Sequence, residues 1–176
     1  STACHKTVNA IYFKISAAPF HMWAPDVYEG SPTPVSLFIA SAPKIAALVL
    51  LFRILSEPFL EFYDYWQQIV VVVAVLSLLI GALGAIMQNN IKRLLAYSTI
   101  NHIGFMLIGL LVFNNDGLMS FLLYSILYLT MVLGAFAFIL VTKQCHQSAN
   151  SADKKSLENL TSFAGLAKSA PLVALA

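Results

Sequence analysis

Lys14 and Lys44 each stand near the middle of a long apolar stretch, and His102 stands in the middle of another. An ammonium held at the centre of a lipid-spanning helix costs about 2.5–3.5 kcal/mol on an insertion scale, so each of these lysines needs a compensating reason. A lysine that alternates between neutral and charged forms can carry a proton if it faces a hydrated interior path. Histidine titrates nearest neutral pH and suits a relay. Ser98, Thr99 and Asn101 extend a polar stripe around His102, with Ser98 one turn away on the same helix face. Such a stripe serves equally as hydrogen-bond glue between helices. His21, beside Trp23 near a helix end, suits an interfacial structural role as well as an accessory one. Snorkelling of the stem accounts for Lys6 and Arg53, but poorly for Lys44, which has about ten residues, or roughly 15 Å of helix, on either side.

Two prolines accompany the lysines. Pro19 follows Lys14 by five residues and Pro43 directly precedes Lys44. Each removes a backbone hydrogen bond and kinks or breaks its helix, so a discontinuous helix is expected near Pro19. Broken backbone at membrane depth is tolerated where protein buries it or a wet cavity borders it, although a simple packing kink explains either proline taken alone. The eight acidic residues all fall in expected loops, so a carboxylate partner for Lys14 is expected from outside this chain.

The elements that must hold these residues follow from composition. Of 176 residues, 59% are hydrophobic and 10% charged, against about 25% charged in an ordinary soluble domain. The apolar residues form long runs, and a lipid-spanning helix needs roughly 20 of them. An all-α polytopic bundle follows, a single domain with about five spans near 7–24, 33–55, 67–87, 91–113 and 118–142, and a sixth opening near 169–176. Polar turns are expected at Asp26–Pro34, Gln88–Asn90 and Asn114–Gly117. Longer polar stretches are expected at Glu57–Tyr65 and Lys143–Leu160, with Tyr63, Tyr65 and Trp66 in an interfacial belt. The chain opens on Ser1 and stops in an apolar run at Ala176, as a central piece of a longer protein or a split product would.

The net charge of +2 and the absence of a basic stripe argue against nucleic acid. Cys4 and Cys145 stand far apart, without the spacing of a metal or redox motif. Lys92, Arg93, Lys143, Lys154, Lys155 and Lys168 fall on the face reached after the first helix, against Lys6 and Arg53 on the other. Positive loops stay on the cytoplasmic side, so loops 25–32, 88–92 and 143–168 are expected to face the cytoplasm, or the matrix in a mitochondrial inner membrane.

The block FKISAAPFHMWAPDVYEGSPTPVSLFIASAPK, Phe13 to Lys44, resembles the most distinctive stretch of the antiporter-like, proton-pumping membrane subunits of NADH:quinone oxidoreductase, respiratory complex I. A second block, QNNIKRLLAYSTINHIGFMLIGL from Gln88 to Leu110, is similar to their next signature. Within them the chain looks most like subunit N, called subunit 2 in mitochondria. The resemblance implies about fourteen helices in two inverted five-helix repeats, of which this chain holds the seventh to the opening of the twelfth. It implies that Lys14 is the central lysine on a discontinuous helix, Lys44 the connecting lysine, and His102 a member of the route onward. The acid that pairs with Lys14 and a further lysine would lie outside residues 1–176. NADH, FMN, iron–sulfur clusters and quinone would be bound elsewhere in the complex, leaving this chain without a cofactor and with membrane subunits and lipid as its partners. A multi-subunit sodium/proton antiporter, which shares the first block in similar form, is the alternative.

Overall fold

The structure, a computed structural model, describes residues 2–56, 63–112 and 114–149. Seven helices are present among them: α1 (Thr2–Ile15), α2 (Trp23–Gly30), α3 (Thr33–Ala40), α4 (Ala42–Ser56), α5 (Tyr63–Ile86), α6 (Ile91–Leu111) and α7 (Asn115–Ala149). Four stretches are long and apolar enough to cross a membrane: Thr33–Ser56, Trp66–Ile86, Ile91–Leu111 and Asn115–Gln144. The all-α polytopic architecture is thus as expected. The expected sixth span near 169–176 lies outside the described residues.

The first apolar run is discontinuous, as Pro19 suggests. Ser16 takes a left-handed conformation (φ 61°), which ends α1, and α2 begins only at Trp23. The bridging backbone is held from outside: the Ala18 N–H donates to Ser77 Oγ at 2.9 Å, and that hydroxyl donates to the Val73 carbonyl at 2.7 Å. Trp23 spans the break, stacking on Phe13 at 5.5 Å and donating from Nε1 to the Phe13 carbonyl at 3.0 Å.

The second apolar run is broken too. Ser41, with φ −99° and ψ −93°, separates α3 from α4, and Pro43 lacks the N–H that would bridge back to Ile39. The Ser41 hydroxyl donates to the Leu37 carbonyl at 2.9 Å, and the Tyr128 hydroxyl donates to the Ala40 carbonyl at 2.7 Å.

Several boundaries differ from the sequence expectation. Asp26–Gly30 is helix rather than turn, leaving Ser31 and Pro32 as the connection to α3. Asp116 and Gly117 belong to the first turn of α7, and Lys143–Ala149 continue that helix. Asp26, Glu29 and Asp116 therefore sit on helices, near their ends. Trp66, at the start of the span Trp66–Ile86, is buried against the core.

Each helix buries one stripe. On α4 it runs Lys44, Leu48, Leu51, Leu55; on α6 Ala96, Ile100, Ile103, Leu107, Leu110; on α7 Phe121, Tyr128, Val132, Phe136, Ile139. The opposite faces expose Leu79, Leu83, Met119, Leu123 and Ile126, as lipid contact requires. α5 and α6 pack most closely, and a Cβ at Gly81 would come within 2.8 Å of Asn101 Cβ.

Candidate functional site

Lys44 heads the buried stripe of α4, directly after the Ser41 break, and is only 1% exposed. Its Nζ donates to Thr99 Oγ1 on α6 at 3.1 Å and lies 5.3 Å from the centroid of the Tyr28 ring on α2. Thr99 in turn donates its one hydroxyl hydrogen to the Ala96 carbonyl at 2.7 Å. The lysine is therefore held by a hydroxyl and an aromatic face. Among the described residues Arg93 pairs with Asp26 and Glu29, whereas Lys44 has no carboxylate partner.

His102 follows one turn after Ser98 on α6 and is half-buried. Its Nδ1 is 2.9 Å from the Tyr124 hydroxyl, and its ring lies 6.0 Å from that of Tyr124 and 5.7 Å from that of Tyr128. Since Tyr128 also bonds the Ala40 carbonyl, α7 reaches both His102 and the break that precedes Lys44.

The remaining expected residues are dispersed. Lys14, in the last turn of α1, is exposed rather than facing an enclosed path formed by this chain. His21 is half-buried in the bridge after Pro19, with its Nδ1 enclosed and unbonded. Asn101 packs against Gly81, and Ser98 is half-buried. Pro19 and Pro43 each flank one of the two breaks. Cys4 and Cys145 lie outside the described side chains. Among the described residues no group of three His, Cys, Asp or Glu side chains is placed to hold a metal ion.

Tyr28, Tyr124 and Tyr128 escaped the sequence reading, and Thr99 entered it only as a member of the α6 stripe. The available signal was the spacing of four between Tyr124 and Tyr128, which puts two phenols on one face of an otherwise apolar span.

Three connections meet at one end of the bundle. Lys92, although 3% exposed, donates from Nζ to the Ser31 carbonyl at 2.9 Å, and Lys143 Nζ donates to Thr33 Oγ1 at 3.0 Å. Arg93 pairs with Asp26 and, at 2.9 Å from Nε, with Glu29; Asn90 caps α6 through the Lys92 N–H and reaches Glu29 Oε1 at 3.3 Å. The segments near 25–32, 88–93 and 143 thus lie together, the acidic first one meeting the basic others.

A family model described as "NADH:quinone oxidoreductase/Mrp antiporter, TM" matches residues 5–176. The chain is 46% identical over 169 residues to NADH-quinone oxidoreductase subunit N of Rhodospirillum rubrum, covering 96% of this chain and 33% of that protein. It is 49% identical over 162 residues to the subunit N of Erythrobacter litoralis, covering 92% and 32%. Among solved structures it is similar to a chain of respiratory complex I from Thermus thermophilus with bound aureothin, at 38% identity and a TM-score of 0.59, covering 73% of this chain and 27% of that one. It also shares a fold with a chain of the Mrp complex from Dietzia, at 24% identity and a TM-score of 0.67, covering 76% and 24%. The chain spans about a third of the length of the curated relatives it matches. With two broken helices, a lysine enclosed beside one of them and a match over nearly its full length, the chain belongs to the transmembrane family of NADH:quinone oxidoreductase and Mrp antiporter subunits.

Proposed function

We propose that this chain is the central part of a proton-translocating membrane subunit of NADH:quinone oxidoreductase, and that it moves protons through intramembrane lysines without itself binding a redox cofactor. The observation that carries this reading is Lys44, 1% exposed at a helix break and held by Thr99. A purely structural bundle gains nothing from enclosing an ammonium at that cost.

In this reading Lys44 and His102 are stations within the chain. Lys14 is a station whose exposure here fits a carboxylate supplied by another part of the longer protein. His21, Ser98 and Asn101 are accessory polar groups, and Pro19 and Pro43 keep the backbone open beside the lysines. Electron transfer from NADH through FMN and iron–sulfur clusters to quinone belongs to other subunits, and neighbouring antiporter-like subunits and lipid surround this one. Loops 25–32, 88–92 and 143–168 face the cytoplasm of a bacterium or the matrix of a mitochondrion.

The family also includes subunits of sodium/proton antiporters, so the test is what the full-length parent assembles with. Tagged and extracted in mild detergent, it is expected to bring NADH:quinone oxidoreductase activity and flavin with it. An intact purified assembly lacking both would assign the chain to an antiporter.

A further inference from the structure

We propose that the Tyr124 hydroxyl is the link through which His102 exchanges protons with a cleft between α6 and α7. This rests on the reading of His102 as a proton station. Asp116, Ser120 and Tyr124 recur every four residues and so share one face of α7. All three line a cleft of about 360 Å³, together with Phe105, Ile108 and Gly117. Asp116 stands in the first turn of α7, at the end of the bundle opposite the Lys92 and Lys143 contacts. The rest of the lining is apolar, so water entering the cleft finds its side-chain partners at Asp116, Ser120 and Tyr124. Tyr124 is half-buried: one side of it borders the cleft, and its hydroxyl is 2.9 Å from His102 Nδ1.

One member of that pair donates and the other accepts, according to the imidazole tautomer. A proton leaving Nδ1 enters the phenol oxygen as the phenol's own proton departs toward the cleft. The phenol gains one proton and loses one, so no charge rests on it. Tyr128 is a turn further on and equally near the imidazole, but its hydroxyl is committed to the Ala40 carbonyl. Tyr124 alone of the two therefore connects the imidazole to the cleft.

The experiment uses the full-length subunit in its assembled complex, in sealed membrane vesicles. Tyr124→Phe removes one oxygen atom and is expected to lower NADH-driven proton translocation about fivefold, the scale of one lost hydrogen bond, with the amount of assembled complex unchanged. Ser120→Cys is expected to react with a membrane-impermeant thiol reagent added on the Asp116 side, and the adduct is expected to slow translocation to a similar degree. Parental translocation in Tyr124→Phe overturns the proposal, as does a Ser120→Cys thiol that the reagent cannot reach. Should Tyr124→Phe fail to assemble, the Ser120→Cys adduct decides by the same criterion. His102→Ala and Lys44→Met run alongside: if they lose translocation while Tyr124→Phe keeps it, only the link fails, and if none loses it, the broader reading fails.

Discussion

At Lys44 the hydrogen bonding is directional. The Thr99 hydroxyl has one hydrogen, and it is given to the Ala96 carbonyl, so Thr99 meets Lys44 only as an acceptor. The lysine donates to it whether charged or neutral. When neutral, its lone pair points away from Thr99, and the Tyr28 ring centroid lies 5.3 Å from Nζ. Lys44→Met fills a similar volume without the charge. It is expected to preserve the amount of assembled complex while lowering NADH-driven proton translocation about a hundredfold, the lower end of what a positioned proton-transfer group contributes. Equal translocation in the variant and its parent would remove Lys44 from the path. That Lys44 needs a polar partner inside the bundle was legible from a cation in an apolar run. Its partners were not, because Thr99 lies 55 residues away in sequence and their contact depends on how α4 packs on α6. The exposure of Lys14 was equally illegible, since its chemistry resembles that of Lys44 and only tertiary position separates them.

Among the elements, the two breaks were foreseeable from Pro19 and Pro43, whereas α2 was mistaken for loop. Asp26, Gly30 and three prolines between Trp23 and Pro34 read as turn residues, yet Pro25 and Pro34 fall in the first turns of α2 and α3, where a missing N–H costs nothing. Asp26 sits in the first turn of α2 and meets the positive end of the helix dipole there. Composition alone does not tell a proline that starts a helix from one that ends it. The α5–α6 hairpin was legible as two spans joined by Gln88–Asn90, but not its closeness. At Gly81 an added side chain meets the Asn101 backbone nitrogen at 2.7 Å, so Gly81→Val must push the helices apart. The expected cost is about 1–3 kcal/mol of overpacking, read as a lower midpoint of thermal aggregation for the detergent-extracted complex and less of it in the membrane. An unchanged midpoint would mean that α6 tolerates the shift.

Across the described residues, Asp26, Glu29, Lys92, Arg93 and Lys143 gather at one end. Arg93 is 37% exposed and its partners Asp26 and Glu29 are 72% and 44% exposed, so this ion pairing adds little stability, about 0–1 kcal/mol. Arg93→Ala is expected to assemble normally and to change the thermal midpoint only slightly. A marked loss of assembled complex would show that the pairing guides folding or docking. Lys92 differs because its Nζ is enclosed against the Ser31 carbonyl.

The two breaks divide the bundle in a way that neither does alone. α2 and α3 are tied to each other by Ser36 Oγ, 2.7 Å from Ser31 Oγ and 3.2 Å from the Tyr28 carbonyl, and to α6 and α7 through Lys92 and Lys143. α1 and α4 pack against one another on the other side of the breaks. The bridge at 16–22 and the Ser41 break therefore each set α2 or α3 apart from α1 or α4, with Lys14 and Lys44 both on the α1–α4 side. The two lysines thus share one packed pair of helices, while Tyr28 and the charged end belong to the other side of the breaks.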